Sequence, residues 1–361
     1  MNELLPHSRI SARWIVSARD DLTWFIGPVL LCYALVAVYV TRALPFVPIL
    51  AALLLLDASH IFATFTRTYF DREERTVRWR LLAGVLVFLV IGPLVVFAGG
   101  YIPYFFLATV WALYHQLKQH YGFAVIYKIK NGDTEEVDNF LDRAFLLANF
   151  LGPLFVFVTR RSGFLARADG RLKLLAGYAG YALLVVMAVV SLVWLIRQVV
   201  RFSRGGLIDL PKYLLFVAVV PLMWVVMLSP FPYKLPMVVL MMLPMHTLQY
   251  HRLVWFHNRK YSSPTATRTR HGLAVIVNRR LITYAAVVIG YAVVFNLSRR
   301  GVIAAFGESS IITQTVLALS IGPLLAHFYL DSVIWRVRRN PEVGRALNVN
   351  GPVDISEAAT V

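Results

Sequence analysis

Six of the nine histidines lie in four apolar segments, each toward the C-terminal end of its segment. The clusters read Asp57-Ala-Ser-His60, His115-Gln-Leu-Lys-Gln-His120, His246-Thr-Leu-Gln-Tyr-His251 and His327-Phe-Tyr-Leu-Asp331. Ionisable side chains at membrane depth are costly, so they face a bundle interior and mark functional sites. We therefore expect the four clusters to converge on one metal site. The expected ligands are His60, His115, His120, His246, His251 and His327.

Two of the clusters pair a histidine with an aspartate at helical contact spacing. Asp57 and His60 are three residues apart, and His327 and Asp331 are four apart, so each pair shares a helix face. Each aspartate could ligate a metal or accept a hydrogen bond from a histidine ligand. We expect Asp57 and Asp331 to act in catalysis. The alternative for either pair is a neutral histidine bonded to a buried aspartate that fixes helix packing.

The other two clusters share a His-x4-His frame with glutamine inside it. Residues five apart are separated by about 140° around a helix, so the two histidines of a frame do not both face one ion. A π-bulge could bring them together, or they could serve two metals. The repeated frame also hints at an internal repeat, which two short matches leave open. The side chains expected to support the ligands are Gln116, Gln119, Gln249 and His257.

The donor types narrow the choice of metal. Imidazole with carboxylate suits iron, zinc, copper or manganese. Cys32 is the only cysteine, so neither a disulfide within the chain nor a thiolate-rich cluster can form. Six histidines and two aspartates suffice for one or two metals, and iron is the expected one. Haem with one or two of these histidines as axial ligands is the alternative cofactor.

The two His-x4-His frames, with their expected depth, resemble the sites of the membrane-bound histidine-box oxygenases. These are the alkane hydroxylases, fatty-acid desaturases and sterol or carotenoid hydroxylases. The resemblance implies two irons, held at the cytoplasmic ends of helices, and oxidation of a lipidic substrate. The chain has no adjacent His-His pair and so lacks the usual boxes of those families. The resemblance is therefore one of site chemistry.

Composition indicates that these segments are membrane helices. Hydrophobic residues make up 58% of the chain, above the usual share of roughly 45–50% in soluble domains. The mean hydropathy is +0.65. We predict an all-α, polytopic helical bundle with about ten transmembrane helices. The predicted spans are 24–43, 46–66, 81–98, 102–126, 141–158, 174–197, 211–228, 235–256, 281–297 and 312–335.

The net charge of +17 is distributed mainly over alternate connections between the spans, which argues against nucleic-acid binding. Because positive loops stay on the cytoplasmic side, both termini are predicted to be cytoplasmic. All four histidine clusters then lie in the cytoplasmic halves of even-numbered spans. We expect a cytoplasmic segment at 1–22, a transmembrane domain at 23–337 and a flexible cytoplasmic tail at 338–361. The expected location is a bacterial inner membrane.

The leading hypothesis for function is a membrane-bound, metal-dependent oxidoreductase. It would be a non-haem iron or di-iron oxygenase, hydroxylase or desaturase acting on a lipidic or apolar small molecule. Expected partners are membrane lipids and a cytoplasmic electron-donor protein, since the chain carries no flavin or iron–sulfur motif. One alternative is an ion- or proton-coupled transporter that uses the same His/Asp cluster. The other is a haem-binding membrane protein.

Overall fold

A computed structural model of the protein describes residues 10–161, 165, 169–231, 234–337, 340–347 and 349. These residues are helical almost throughout, apart from two short strands. In chain order the elements are β1 Ile10–Ser11, α1 Ala18–Asp21, a π-helical turn Leu22–Ile26, α2 Gly27–Thr41, α3 Phe46–Arg67, α4 Arg72–Val77, α5 Trp79–Gly84, α6 Val87–Phe97, α7 Tyr101–Asn131, α8 Glu136–Val156, a second π-helical turn Phe157–Arg161, α9 Gly170–Ser203, β2 Ile208–Asp209, α10 Leu210–Leu228, α11 Lys234–Asn258, a 3₁₀ turn Arg259–Ser262, α12 Arg268–His271, α13 Leu273–Asn278, α14 Leu281–Phe306, α15 Ile311–Ile334 and α16 Pro341–Ala346.

Within the described chain, eight helices are long and apolar enough to cross a membrane, which supports a helical membrane bundle. The expected count of about ten is not confirmed. The two predicted spans that are missing lie in α7 and α11, the helices with the His-x4-His frames. Both helices are long, with 31 and 25 residues. Their histidines, glutamines and basic residues lower the hydropathy below that of the other spans.

The described residues form two compact units. The first consists of the chain up to Val47 together with Gln116–His246. In it, β1 pairs in parallel with β2, and α8 packs against both α9 and α10. A buried ionic network joins these helices: Lys212 Nζ lies 2.9 Å from Asp133 Oδ2 and 3.2 Å from Asp142 Oδ2. Burying charges is costly unless they are paired, and here they are.

The network also sets the charge state of Asp133, which lies between α7 and α8. Burial by itself raises the pKa of this carboxyl. The neighbouring Lys212, Arg201 and Lys128 outweigh that effect and hold its pKa below the usual value. Asp133 is therefore ionised at neutral pH, which the ion pairs of this network require.

The second unit consists of Pro48–His115 and Thr247–Val361, as far as it is described. Its tightest packing is between α6 and α15. A Cβ added at Gly92 would lie 2.6 Å from the carbonyl oxygen of Ala318, and one at Gly322 would lie 2.8 Å from that of Phe88. Small residues at such positions let two membrane helices approach closely. The position of α15 therefore depends on these two glycines.

Two apolar clusters join the long helices of the second unit. The first joins α6, α7 and α15 through residues that include Tyr104, Leu325 and Phe328. The second joins α3, the C-terminal half of α11 and α14 around Tyr250 and Tyr284. Together they bring the polar side chains of α3, α11 and α15 into one interior.

The two ends predicted as separate segments are described only in part. Residues 1–9, 338–339, 348 and 350–361 lie outside the described residues, so the flexible tail stays a prediction there. Pro341–Ala346, within the predicted tail, forms α16. The carboxylate of Glu342 on this helix lies 2.6 Å from Lys260 Nζ.

Candidate metal centre

The centre of the second unit is a carboxylate flanked by two imidazoles. Ser310 caps α15 by accepting a hydrogen bond from the backbone N–H of Ile312, and the helix runs on to Ile334. His327 and Asp331 lie one turn apart near its C-terminal end, and both are buried. His115, contributed by α7, is also buried. One potential ligand atom from each of these three residues lies within 4.8 Å of the other two.

The two oxygens of Asp331 have different surroundings. Oδ1 accepts a hydrogen bond from the hydroxyl of Tyr250 at 2.9 Å and one from Thr64 Oγ1 at 3.3 Å. Oδ2 faces the imidazoles, at 3.8 Å from His115 Nε2 and 3.6 Å from His327 Nδ1. Those two distances are too long for hydrogen bonds. One oxygen therefore orients the carboxylate, and the other is directed toward the histidines.

One of these hydroxyls also contacts the ring of His327. Thr64 Oγ1 lies 2.7 Å from His327 Nδ1, and it also contacts the hydroxyl of Tyr250. Thr64 has one proton, which either the Asp331 carboxylate or His327 Nδ1 can accept. In the tautomer with the proton on Nδ1, the lone pair of the ring is on Nε2. A hydrogen bond at one ring nitrogen that fixes the other as a donor to metal is the usual arrangement of histidine ligands.

His60 and Asp57, the pair on α3, lie beside this centre. His60 is buried, and its ring packs edge-on against that of His327, with 4.8 Å between centroids. His60 Nδ1 lies 3.5 Å from Asp57 Oδ1. The Asp57 side chain is 28% exposed, in contrast to Asp331 at 6%. The structure therefore brings the predicted α3 pair close to the α15 pair through His60.

His251 has side-chain partners on both ring nitrogens. Its Nε2 lies 2.9 Å from Ser59 Oγ, and its Nδ1 lies 2.8 Å from the hydroxyl of Tyr284. Neither nitrogen is left to bind a metal in this arrangement. We therefore place His251 among the residues that join α3, α11 and α14, outside the proposed ligand set.

His120 and His246, together with two of the predicted supporting glutamines, belong to the first unit. His120 is buried and donates from Nδ1 to the carbonyl oxygen of Gln116 at 3.0 Å, which puts its lone pair on Nε2. Nε2 has no hydrogen-bond partner among the described residues. Gln119 Nε2 donates to the carbonyl oxygen of His246 at 3.2 Å. Gln116 Nε2 donates to the carbonyl oxygen of Met242 at 3.5 Å, so both amide groups bond to backbone carbonyls.

The last two predicted supporting residues lie in the second unit. Gln249 is fully buried on α11. His257 is buried at the end of the same helix, and its Nε2 lies 3.4 Å from Nη2 of Arg67. The three centre residues His115, His327 and Asp331 are not among the contacts of His257 that the structure describes. His257 belongs to a separate arrangement with Arg67.

Sequence reasoning missed the hydroxyl groups that orient the centre. Thr64 follows His60 by one helical turn on α3, so it shares a face with a predicted ligand. Tyr250 directly precedes His251, but it reaches Asp331 across a separation of 81 residues. The spacing signal could have found Thr64. Only tertiary structure shows the contact of Tyr250.

Aromatic side chains close the site on the α7 side. The ring of Phe328 stacks on that of His115, with 4.4 Å between centroids and 27° between planes. Trp111 and Phe88 pack against the same apolar cluster. The centre is therefore shielded from water by apolar groups.

No family model matches this chain, and neither a curated protein nor a solved structure is significantly similar to it.

Proposed function

We propose that this chain is an integral-membrane metalloenzyme that binds iron on His115, His327 and Asp331. The observation that carries the proposal is the convergence of one donor atom from each residue to within 4.8 Å in a buried site. Two histidines and one carboxylate are the ligand set of non-haem Fe(II) oxygenases, in which other coordination positions stay open. The donor set therefore favours oxygen chemistry over a closed structural site.

The spacing of the donors supports a shared metal. Ligand bonds of roughly 2.0–2.2 Å place two donors of one metal at most about 4.3 Å apart. His115 Nε2 and Asp331 Oδ2, at 3.8 Å, fall inside that limit. A direct hydrogen bond would bring the same two atoms to about 2.7–3.2 Å. The pair is thus spaced for an ion between the two atoms.

The chain's own groups have defined tasks in this proposal. Tyr250 and Thr64 keep Asp331 oriented by donating to Oδ1, which leaves Oδ2 to bind the metal. In this proposal Thr64 also accepts the proton on His327 Nδ1, across their 2.7 Å contact, which leaves the lone pair on Nε2. Phe328 stacks on His115 and limits access of water. A dry, preorganised donor set lets the metal react with bound substrate and not with solvent.

Bound iron would supply the activation of oxygen for oxidising a lipidic or other apolar substrate. Such a substrate would reach the site between helices from the bilayer, because the site is enclosed by apolar side chains. Electrons would come from a donor protein on the cytoplasmic side, where both termini are proposed to lie. His115, His327 and Asp331 together can hold one iron. The proposal allows one or two irons per chain.

Ion- or proton-coupled transport is the second candidate. It is favoured by the hydrogen-bonded chain that links His327, Thr64, Tyr250 and Asp331, since protons move along such chains in membrane transporters. A transporter of this kind would use the same buried groups as proton carriers and would need no resident metal.

Elemental analysis and a visible absorption spectrum of the detergent-purified protein separate these functions. One or two irons per chain with no Soret band is the result expected for the non-haem enzyme. A strong Soret band would assign the protein to the haem class. Absence of any transition metal, in folded protein never exposed to chelator, would refute the metalloenzyme and favour transport.

A further inference from the structure

The C-terminal residue of α3 is a buried arginine. Arg67 is 1% exposed, and its guanidinium stacks on the indole of Trp335 at 4.0 Å from the ring centroid. Its Nε and Nη1 atoms have no hydrogen-bond partner among the described residues, and no carboxylate there forms an ion pair with it. The carboxylate of Asp331 is close enough to Arg67 to interact with it electrostatically. The donors on Nε and Nη1 remain for a further acceptor.

The contact between Arg67 and His257 determines which nitrogen of the histidine carries its proton. Arginine has donors only, so Nη2 donates to His257 Nε2 across 3.4 Å. The proton of the neutral imidazole is then on Nδ1. Asn258, the next residue, contributes a side-chain hydrogen bond to His257. His257 and Asn258 are each 1% exposed, so the polar groups of both side chains are buried.

His257 lines a cleft of about 370 Å³ at the end of α11. The charged residues of its wall are Arg259, Lys260, Glu342 and Arg345, which are three cations and one carboxylate. Glu342 is already paired with Lys260 at 2.6 Å. Arg259 and Arg345 are exposed at the cleft, and neither has an ion pair within the described residues. The cleft thus carries uncompensated positive charge beside the buried imidazole of His257.

We propose that this cleft binds a phosphate group. The guanidinium forks of Arg259 and Arg345 can each donate two hydrogen bonds, and a phosphate has enough acceptor oxygens to satisfy both. A carboxylate has only two oxygens. The volume admits a phosphate together with the group that carries it, either a lipid headgroup or a soluble phosphate ester. Arg67, behind His257, adds positive charge on the buried side.

The test uses the purified full chain in phosphatidylcholine nanodiscs, titrated with inorganic phosphate against chloride at equal ionic strength. Binding is measured by calorimetry and by the rise in the unfolding temperature. Arg345→Gln should weaken binding about tenfold, the effect of losing a charge-assisted hydrogen bond. Arg268→Gln is the matched control, because it removes the same charge from an exposed residue that lies outside the cleft. It should leave the Kd within about twofold, since surface charges are screened.

A second set of nanodiscs, containing phosphatidate, distinguishes the two sources of phosphate. Saturable binding of inorganic phosphate identifies a soluble ligand. Retention of phosphatidate without binding of inorganic phosphate identifies a lipid headgroup. In both cases Arg345→Gln must reduce the binding. Failure of both probes to bind, or equal weakening by Arg345→Gln and Arg268→Gln, overturns the proposal.

Discussion

Close packing of α6 on α15 should be sensitive to a single added methyl group at Gly322. A Cβ there would lie 2.8 Å from the carbonyl oxygen of Phe88 and 2.9 Å from Leu89 Cα. Both neighbours are backbone atoms, which cannot rotate away as a side chain would. Overpacking of this kind costs about 1–3 kcal/mol. Gly322→Ala should therefore lower the free energy of unfolding and shift α15, which carries His327 and Asp331.

A matched glycine on α14 isolates this effect. Nothing lies within 4 Å of a Cβ built at Gly290, which is exposed in the middle of its helix. Alanine in a helix interior is favoured over glycine by roughly 0.5–1 kcal/mol, and this gain applies to both variants. Subtracting one variant from the other therefore leaves the overpacking cost of about 1–3 kcal/mol at Gly322.

The assay is the unfolding of each variant in one detergent, followed by circular dichroism, together with the metal content of the folded fraction. Gly322→Ala should be the less stable variant and should retain less metal, whereas Gly290→Ala should match or exceed the wild-type protein in both. Equal stability of the two variants would refute the inferred contact between α6 and α15.

Three further predictions concern hydrogen bonds and charges. Tyr250→Phe removes a hydrogen-bond donor to Asp331 and should weaken metal binding roughly 10- to 100-fold in chelator competition. Tyr284→Phe is the control, because the Tyr284 hydroxyl bonds to His251, and it should leave metal binding unchanged. Lys212→Met removes one of the two lysines that pair with the buried Asp133 and Asp142, and Lys128 remains. The loss of these charge-assisted hydrogen bonds should cost about 1.5–3 kcal/mol in denaturant unfolding, and an unchanged midpoint would contradict the network. Burial raises the pKa of Asp209 to about 7. The protonated carboxyl therefore stabilises the folded state fully at a pH below the pKa that Asp209 has in the unfolded chain, and this stabilisation is lost as the pH rises through about 7. Asp209→Asn should flatten the dependence of unfolding temperature on pH across that range, and an unchanged slope would show that Asp209 is not its source.

The helical membrane bundle could be predicted because long apolar segments have few alternatives. The number of membrane spans could not be predicted, because hydropathy alone does not decide whether a long helix that contains polar residues crosses the membrane. Tyr101–Asn131 is one continuous helix although Lys118 and two histidines lie inside it. The division of that helix between two compact units depends on which neighbours it packs against, and no local pattern records them.

The candidate site was predictable where helical spacing alone places two side chains on one face. His327 and Asp331, four residues apart, are the clear case. The His-x4-His frames were harder to interpret, because their two histidines diverge around the helix. His251 bonds to Ser59 and Tyr284, which lie on other helices. Contacts across separations of 192 and 33 residues follow from tertiary packing and leave no signal in spacing.

The central claim is that His115, His327 and Asp331 hold one metal. The most direct test compares the metal content of His115→Ala and Asp331→Asn with that of His251→Gln, all purified in the same detergent. The account predicts that the first two lose the metal while they keep their helical content, and that His251→Gln retains it. Full metal retention in both His115→Ala and Asp331→Asn, or loss confined to His251→Gln, would contradict the claim.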